Sequence, residues 1–136
     1  MLLIMAYYLE DYLGLREMVT SDEARYSAFI ILSIFGVSLL IWSLKSLTPG
    51  DRGRNLITVG AYKYFRHPLY AAFLLFINVG IAFLLNNFIY LLWAAILFPI
   101  WSFIVRNEEE LMKNEFGEKY VAYSRNTWRF VPKLWF

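Results

Sequence analysis

The chain has 136 residues, 60% of them hydrophobic and 20% aromatic, with a mean hydropathy of +0.48 and a net charge of +2. Soluble domains are typically ~45–50% apolar, so this composition belongs to a membrane class, and the length suits one domain without a separate soluble module. The absence of cysteine and a single histidine, His67, exclude disulfides, thiolate catalysis, Cys-ligated metals and any multi-histidine metal centre, and the charge gives no support to nucleic-acid binding.

Residues 1–26 read as an interfacial segment. Positions 1–15 are apolar and aromatic with scattered acids, which suits a helix lying on the membrane surface, packing on the bundle or making an oligomer contact. No secretory signal is expected, because this start lacks a basic leader and meets Glu10 and Asp11 early. The uncharged run 27–44 is the first predicted transmembrane helix, and Thr48-Pro49-Gly50-Asp51 breaks the chain after it. Positions 56–65 read as an ordered loop. The runs 69–85 and 88–105 are the second and third spans, joined as an antiparallel hairpin by Asn86-Asn87. At ~1.5 Å per residue the three runs each cover about 25–27 Å, close to the ~30 Å hydrocarbon core.

Pro99 is expected to kink the third helix and free a backbone carbonyl. Residues 106–136 form a tail in which the third helix continues to about Phe116, Gly117 stops it, and a further short helix covers 118–124. The predicted fold is therefore all-α, a single integral membrane domain over 1–136 with three transmembrane helices. Acids outnumber bases before the first span, whereas Lys45, Arg52, Arg54, Lys63 and Arg66 face only Asp51 in the next loop. The tail adds Arg106, Lys113, Lys119, Arg125, Arg129 and Lys133. Basic excess marks the cytoplasmic side, so the N-terminus is expected outside and the C-terminus in the cytoplasm.

That topology returns two distant polar clusters to one membrane face. Glu108-Glu109-Glu110 ends the third apolar run, and Arg66-His67-Pro68-Leu69-Tyr70 opens the second. Read alone, the glutamates are a solvated cap and the basic cluster is a cytoplasmic anchor. Neighbouring helical positions lie about 100° apart, however, so at least one glutamate should turn inward. Pro68 suits a first helical position, and the amides of that helix start favour an anionic group. Tyr62, Tyr64 and Tyr70 add flat rings that either stack on a base or form an interfacial belt. Ionisable groups gathered beside hydrocarbon form a functional-site hypothesis. A cationic pole, an anionic pole and aromatic walls admit a zwitterion such as S-adenosylmethionine, and equally a phospholipid headgroup.

The segment 56–70, ending in Arg66-His67-Pro68-Leu69-Tyr70, resembles the one preceding a core helix in isoprenylcysteine carboxyl methyltransferases and the related phospholipid methyltransferases. Those proteins carry R-H-P-x-Y-x-G, a helical hairpin, then E-E-x-x-L leading into F-G-x-x-Y. Here Glu108-Glu109 is followed by Phe116-Gly117-Glu118-Lys119-Tyr120. The resemblance covers roughly residues 31–132. Two positions depart: Ala72 replaces the glycine, and Met112 holds the strict leucine position with Leu111 one place early.

The resemblance implies a membrane methyltransferase that uses S-adenosylmethionine and a lipophilic or prenylated acceptor. It places Gly60, Tyr62, Arg66, His67, Pro68, Tyr70, Glu108 and Glu109 at the cofactor. Arg66 is expected at the cofactor's carboxylate and Glu108 or Glu109 at its amino group, with His67 bonding the cofactor or locking the loop. Apart from the resemblance, Arg129, after Trp128, is a candidate either for orienting an acceptor carboxylate or for touching lipid phosphates. Arg66, Glu109 and Arg129 are thus the expected catalytic residues, and Glu109→Gln is expected to abolish cofactor binding with the fold intact. Given the short N-terminus, a homodimer is the candidate for supplying a missing wall of the substrate portal, and membrane lipids are the other expected partners. The alternatives are a phospholipid N-methyltransferase and a non-catalytic lipid-binding or assembly module of the same fold.

Overall fold

A computed structural model describes residues 21–47 and 55–132, with positions 4, 8, 9, 12–14, 17 and 18 ahead of them. The expected interfacial segment falls largely outside the described residues, and the break at 48–51 wholly so. Helix α1 (Asp22–Ser46) starts ahead of the uncharged run because its first turn is capped. The Ser21 hydroxyl accepts from the Ala24 amide at 3.4 Å, and Asp22 and Glu23 sit where negative charge offsets the free amides. Helix α2 (Pro68–Leu85), helix α3 (Phe88–Phe116) and the short helix α4 (Glu118–Asn126) follow. The first three are long and apolar enough to cross a membrane. Among the described residues, β-pairing is confined to isolated bridges.

The α2–α3 hairpin turns where two asparagines can make it turn. Asn86 takes a left-handed conformation at φ 55°, which asparagine tolerates better than most residues, and closes α2 through its amide. Asn87 caps α3 by accepting from the Ile89 amide at 3.1 Å. Pro99 lies inside α3 as one continuous helical element, and the helix ends at Phe116, where the sequence leads one to expect its end. Helix α2 carries a feature its sequence does not announce: Ala72–Ile77 is a π-helical stretch, and the Asn78 amide donates to the Phe73 carbonyl five residues back. Such a widened turn shifts the register between the first turn of α2 and its remainder.

Helix α1 lies along α2 with Gly36 at the crossing. A Cβ there would stand 2.8 Å from Ile77 Cγ1, 3.2 Å from Phe76 Cβ and 3.4 Å from the Ala72 carbonyl oxygen. Small residues allow membrane helices to approach this closely. Ala72 is fully buried, and the tight approach at its turn is supplied from the α1 side. Gly36→Val should therefore force the helices apart at a cost of about 1–3 kcal/mol. Thermal unfolding in detergent checks this, and an unchanged midpoint would show that the crossing yields freely.

The larger core cluster lies towards the end of the bundle away from the hairpin turn, with a smaller one, Ala82 and Tyr90, beside the turn. Leu39, Ala71, Leu74, Leu97 and Val105 of the three long helices meet Ala61, Phe65 and Phe130 from the flanking segments. Beyond α4 the chain returns as a strap. The Trp128 carbonyl accepts from the Arg66 amide at 2.8 Å and the Arg129 carbonyl from the His67 amide at 3.0 Å. A segment 62 residues away in sequence thus fixes the backbone that carries Arg66 and His67.

Candidate functional site

The first polar cluster is positioned from three sides. A single tight turn, Gly60–Lys63, sits on the end of α1, where the Ser46 hydroxyl accepts from the Ala61 amide at 3.1 Å and donates to the Trp42 carbonyl at 2.8 Å. Gly60 has φ +62°, and a side chain there would collide with Ser46 Oγ. This glycine therefore permits a close approach of loop to helix. On the other side the Tyr123 hydroxyl donates to the Tyr62 carbonyl at 2.7 Å and lies 3.2 Å from the Phe65 carbonyl. Burial pushes the Tyr123 phenol well above its ordinary range, so it stays protonated and a donor. His67 then occupies the N-cap of α2 and Pro68 its first position, where a missing amide costs nothing.

The second cluster separates its three glutamates by helical rotation. Glu109 is buried, Glu108 is partly exposed and Glu110 faces outward. Glu109 Oε1 is 3.2 Å from Arg66 Nη1 and 3.4 Å from His67 Nε2. Its Oε2 accepts from Arg129 Nη2 at 2.7 Å, and Arg129 Nε lies 3.1 Å from each oxygen. The bonds to Glu109 hold the Arg129 guanidinium charged even more firmly than usual. Glu108 is held more lightly: Tyr70 donates to it at 2.9 Å, and His67 Nδ1 is 3.7 Å away. The His67 ring stacks on Tyr70 at 5.7 Å between centroids, and Tyr70 packs on Trp101 at 4.6 Å.

Two cavities flank this cluster. The first, about 460 Å³, is lined by Tyr62, Arg66, His67, Pro68, Tyr70, Glu108, Tyr120 and Tyr123, with Leu56, Ile57, Leu111 and Met112 among its apolar walls. The second, about 360 Å³, is lined by Arg66, Phe98, Ser102, Trp128, Arg129, Phe130 and Val131. Arg66 borders both. Of the residues singled out from sequence, six line the first cavity. Glu109 lies behind it as the common partner of three basic side chains, Arg129 lines the second, and Gly60 lines neither. Tyr120 and Tyr123 also line this cavity and are not among the site residues expected from sequence. Their spacing of three on a short helix, which turns both rings to one side, was the available signal. Burial, with the charge of Glu109 nearby, raises the Tyr120 phenol above its usual range.

Residues 29–114 match the isoprenylcysteine carboxyl methyltransferase family. The chain belongs to this family. It is 33% identical over 85 residues to the protein-S-isoprenylcysteine O-methyltransferase of Schizosaccharomyces pombe, covering 62% of this chain and 36% of that protein. The B form of that enzyme in Arabidopsis thaliana is 35% identical over 85 residues, 60% of this chain and 42% of its own. The cobalt-zinc-cadmium resistance protein CzcN of Cupriavidus metallidurans is 29% identical over 110 residues, 77% of this chain and 50% of its own. The chain thus spans between a third and a half of the length of these relatives. Family membership and the three apolar helices make it an integral membrane protein. The matched range contains Arg66, His67, Tyr70, Glu108 and Glu109 and stops short of Arg129.

Proposed function

We propose that this protein is a membrane methyltransferase that holds S-adenosylmethionine in the first cavity and methylates a lipophilic acceptor drawn from the bilayer. The observation that carries this reading is the juxtaposition, in a member of this family, of Arg66 and Glu108 across a tyrosine-walled cavity of about 460 Å³. That volume lies in the ~300–1,000 Å³ range of small-molecule sites. The donor set suits the cofactor: Arg66, whose Nε is buried without a hydrogen-bond partner, for a carboxylate, and Glu108 for an ammonium. The tyrosine rings suit a sulfonium and a base.

S-adenosylmethionine supplies an electrophilic methyl group, transferred by in-line displacement. The chain's part is to position two reactants and exclude water. Tyr70 orients the Glu108 carboxylate by its hydrogen bond. Glu109 gathers Arg66, His67 and Arg129, and so sets the basic groups of both cavities from one point. His67, stacked on Tyr70, closes the wall between the two glutamates. Arg129 presents positive charge to the second cavity, which lies beside Phe98 and Ser102 of a membrane-crossing helix. The basic loop and tail favour the cytoplasmic side for this end of the bundle.

Two guanidiniums at the second cavity favour a carboxylate acceptor over an amine. A carboxylate also needs no general base, whereas an ammonium must first lose a proton. Labelled methyl transfer by the protein in neutral liposomes tests this, with thioether-linked alkyl carboxylates, alkyl amines and phosphatidylethanolamine offered side by side. Label in the carboxylate alone is expected. Label in the amine headgroup alone would replace the carboxylate with a phospholipid as acceptor.

A further inference from the structure

Helix α2 carries one amide side chain into the apolar middle of the bundle. Asn78 is 0% exposed, and neither its Oδ1 nor its Nδ2 has a hydrogen-bond partner among the described residues. It stands eight residues before Asn86, about 12 Å from the hairpin turn. Its direction follows from its neighbours. Gly80 faces α1, where a Cβ would meet Leu32 and Phe29, and helical positions two apart point to nearly opposite sides. Asn78 instead shares a face with Leu74 and Ala82, and Ala82 clusters with Tyr90 of α3. The carboxamide is therefore directed at the interface between α2 and α3.

Two further polar groups belong to the same region. The backbone amide of Asn78 donates to the Phe73 carbonyl, five residues back, and the π-helical stretch ends there. From Asn78 onward the four-residue spacing of an α-helix resumes. Such a change passes over one carbonyl, and by position that is Leu74, one turn before Asn78 and on the side to which its side chain leans. Trp93 of α3 stands six residues past Asn87, about 9 Å from the turn, and packs against the cluster that contains Leu74. Its Nε1 is also buried without a partner. Polar groups left bare among apolar side chains are costly, most of all inside a membrane. Their missing partner must both donate and accept, and no lipid head group reaches a side chain without exposure. Water meets both conditions, and these groups supply the two to four partners that an internal water needs. We propose that α2 and α3 enclose an intramembrane water site built on Asn78. Ordered water there accepts from Asn78 Nδ2 and Trp93 Nε1 and donates to Asn78 Oδ1 and the Leu74 carbonyl. It completes the turn that the helix's own amides leave open. It thereby holds the offset between Pro68–Ala71, where Tyr70 donates to Glu108, and the rest of α2. The site is independent of what either cavity binds.

The test uses the whole chain, labelled with ¹³C and ¹⁵N, in maltoside micelles. Magnetisation transfer from water, measured in the laboratory and rotating frames, separates contact with held water from proton exchange. In the wild type the Asn78 Nδ2 and Trp93 Nε1 protons should both show contact with long-lived water. Asn78→Leu fills the place with an apolar side chain of similar size. There the Trp93 contact with water should vanish and the Leu74 carbonyl carbon should shift upfield. Asn78→Ala, which leaves room for water, should keep the Trp93 contact. Wild-type protons that contact only side chains and detergent would overturn the proposal, whether or not either variant folds. A Trp93 water contact undiminished in a folded Asn78→Leu would also overturn it, because the water would not be shared with Asn78.

Discussion

Glu109→Ala is expected to cost about 3–5 kcal/mol of stability, the scale for removing one partner of a buried ion pair. Glu109 is 9% exposed and is the shared partner of Arg66, His67 and Arg129. Its loss leaves three basic side chains converging on an empty position, with the strap and the Arg66–His67 loop no longer tied to α3. The unfolding midpoint in detergent should fall by more than about 10 °C, and methyl transfer should vanish with it. The expectation drawn from sequence is that Glu109→Gln largely abolishes cofactor binding and spares the fold. The geometry moves the effect, because a carboxylate already engaged by three basic groups has little capacity left for a ligand. A Glu109→Ala midpoint close to that of the wild type would show that the cluster is not what holds this end of the bundle.

Glu108→Gln should behave in the opposite way. Glu108 borders the first cavity, is close to half exposed, and is held by one tyrosine hydroxyl and a long contact to His67. Removing its charge leaves no buried cation stranded, so the midpoint should stay within about 2 °C of the wild type. Hydrogen bonds to charged groups are worth about 1.5–3 kcal/mol, so affinity for a ligand bearing an ammonium should fall about ten- to a hundredfold. Calorimetric titration and a thermal melt on the same preparation separate the two glutamates. Loss of stability without loss of affinity at Glu108 would reverse their assigned roles.

The spans were legible because hydropathy and length suffice: each of the three uncharged runs became part of a helix long enough to cross. The hairpin was legible from Asn86-Asn87, since a left-handed position followed by a cap is what two asparagines do readily. Helix α1 begins ahead of the uncharged run because capping by Ser21, not loss of charge, decides where a helix begins. The π-helical stretch in 72–77 had no herald, since no glycine or proline stands in it. The inward turn of one glutamate followed from helical rotation alone. That it is Glu109, and that it lies behind the cavity instead of lining it, depends on the register of α3 against a strap distant in sequence. Gly60 shows the limit of motif reading: its position on Ser46 is a matter of loop approach, visible only once α1 and the loop are packed together.

The most direct measurement is a calorimetric titration of the detergent-purified protein with S-adenosylhomocysteine, run beside Glu108→Gln. The account predicts binding by the wild type in the micromolar range, weakened about tenfold or more in the variant at an unchanged melting midpoint. A folded, monodisperse wild type that does not bind S-adenosylhomocysteine would contradict it.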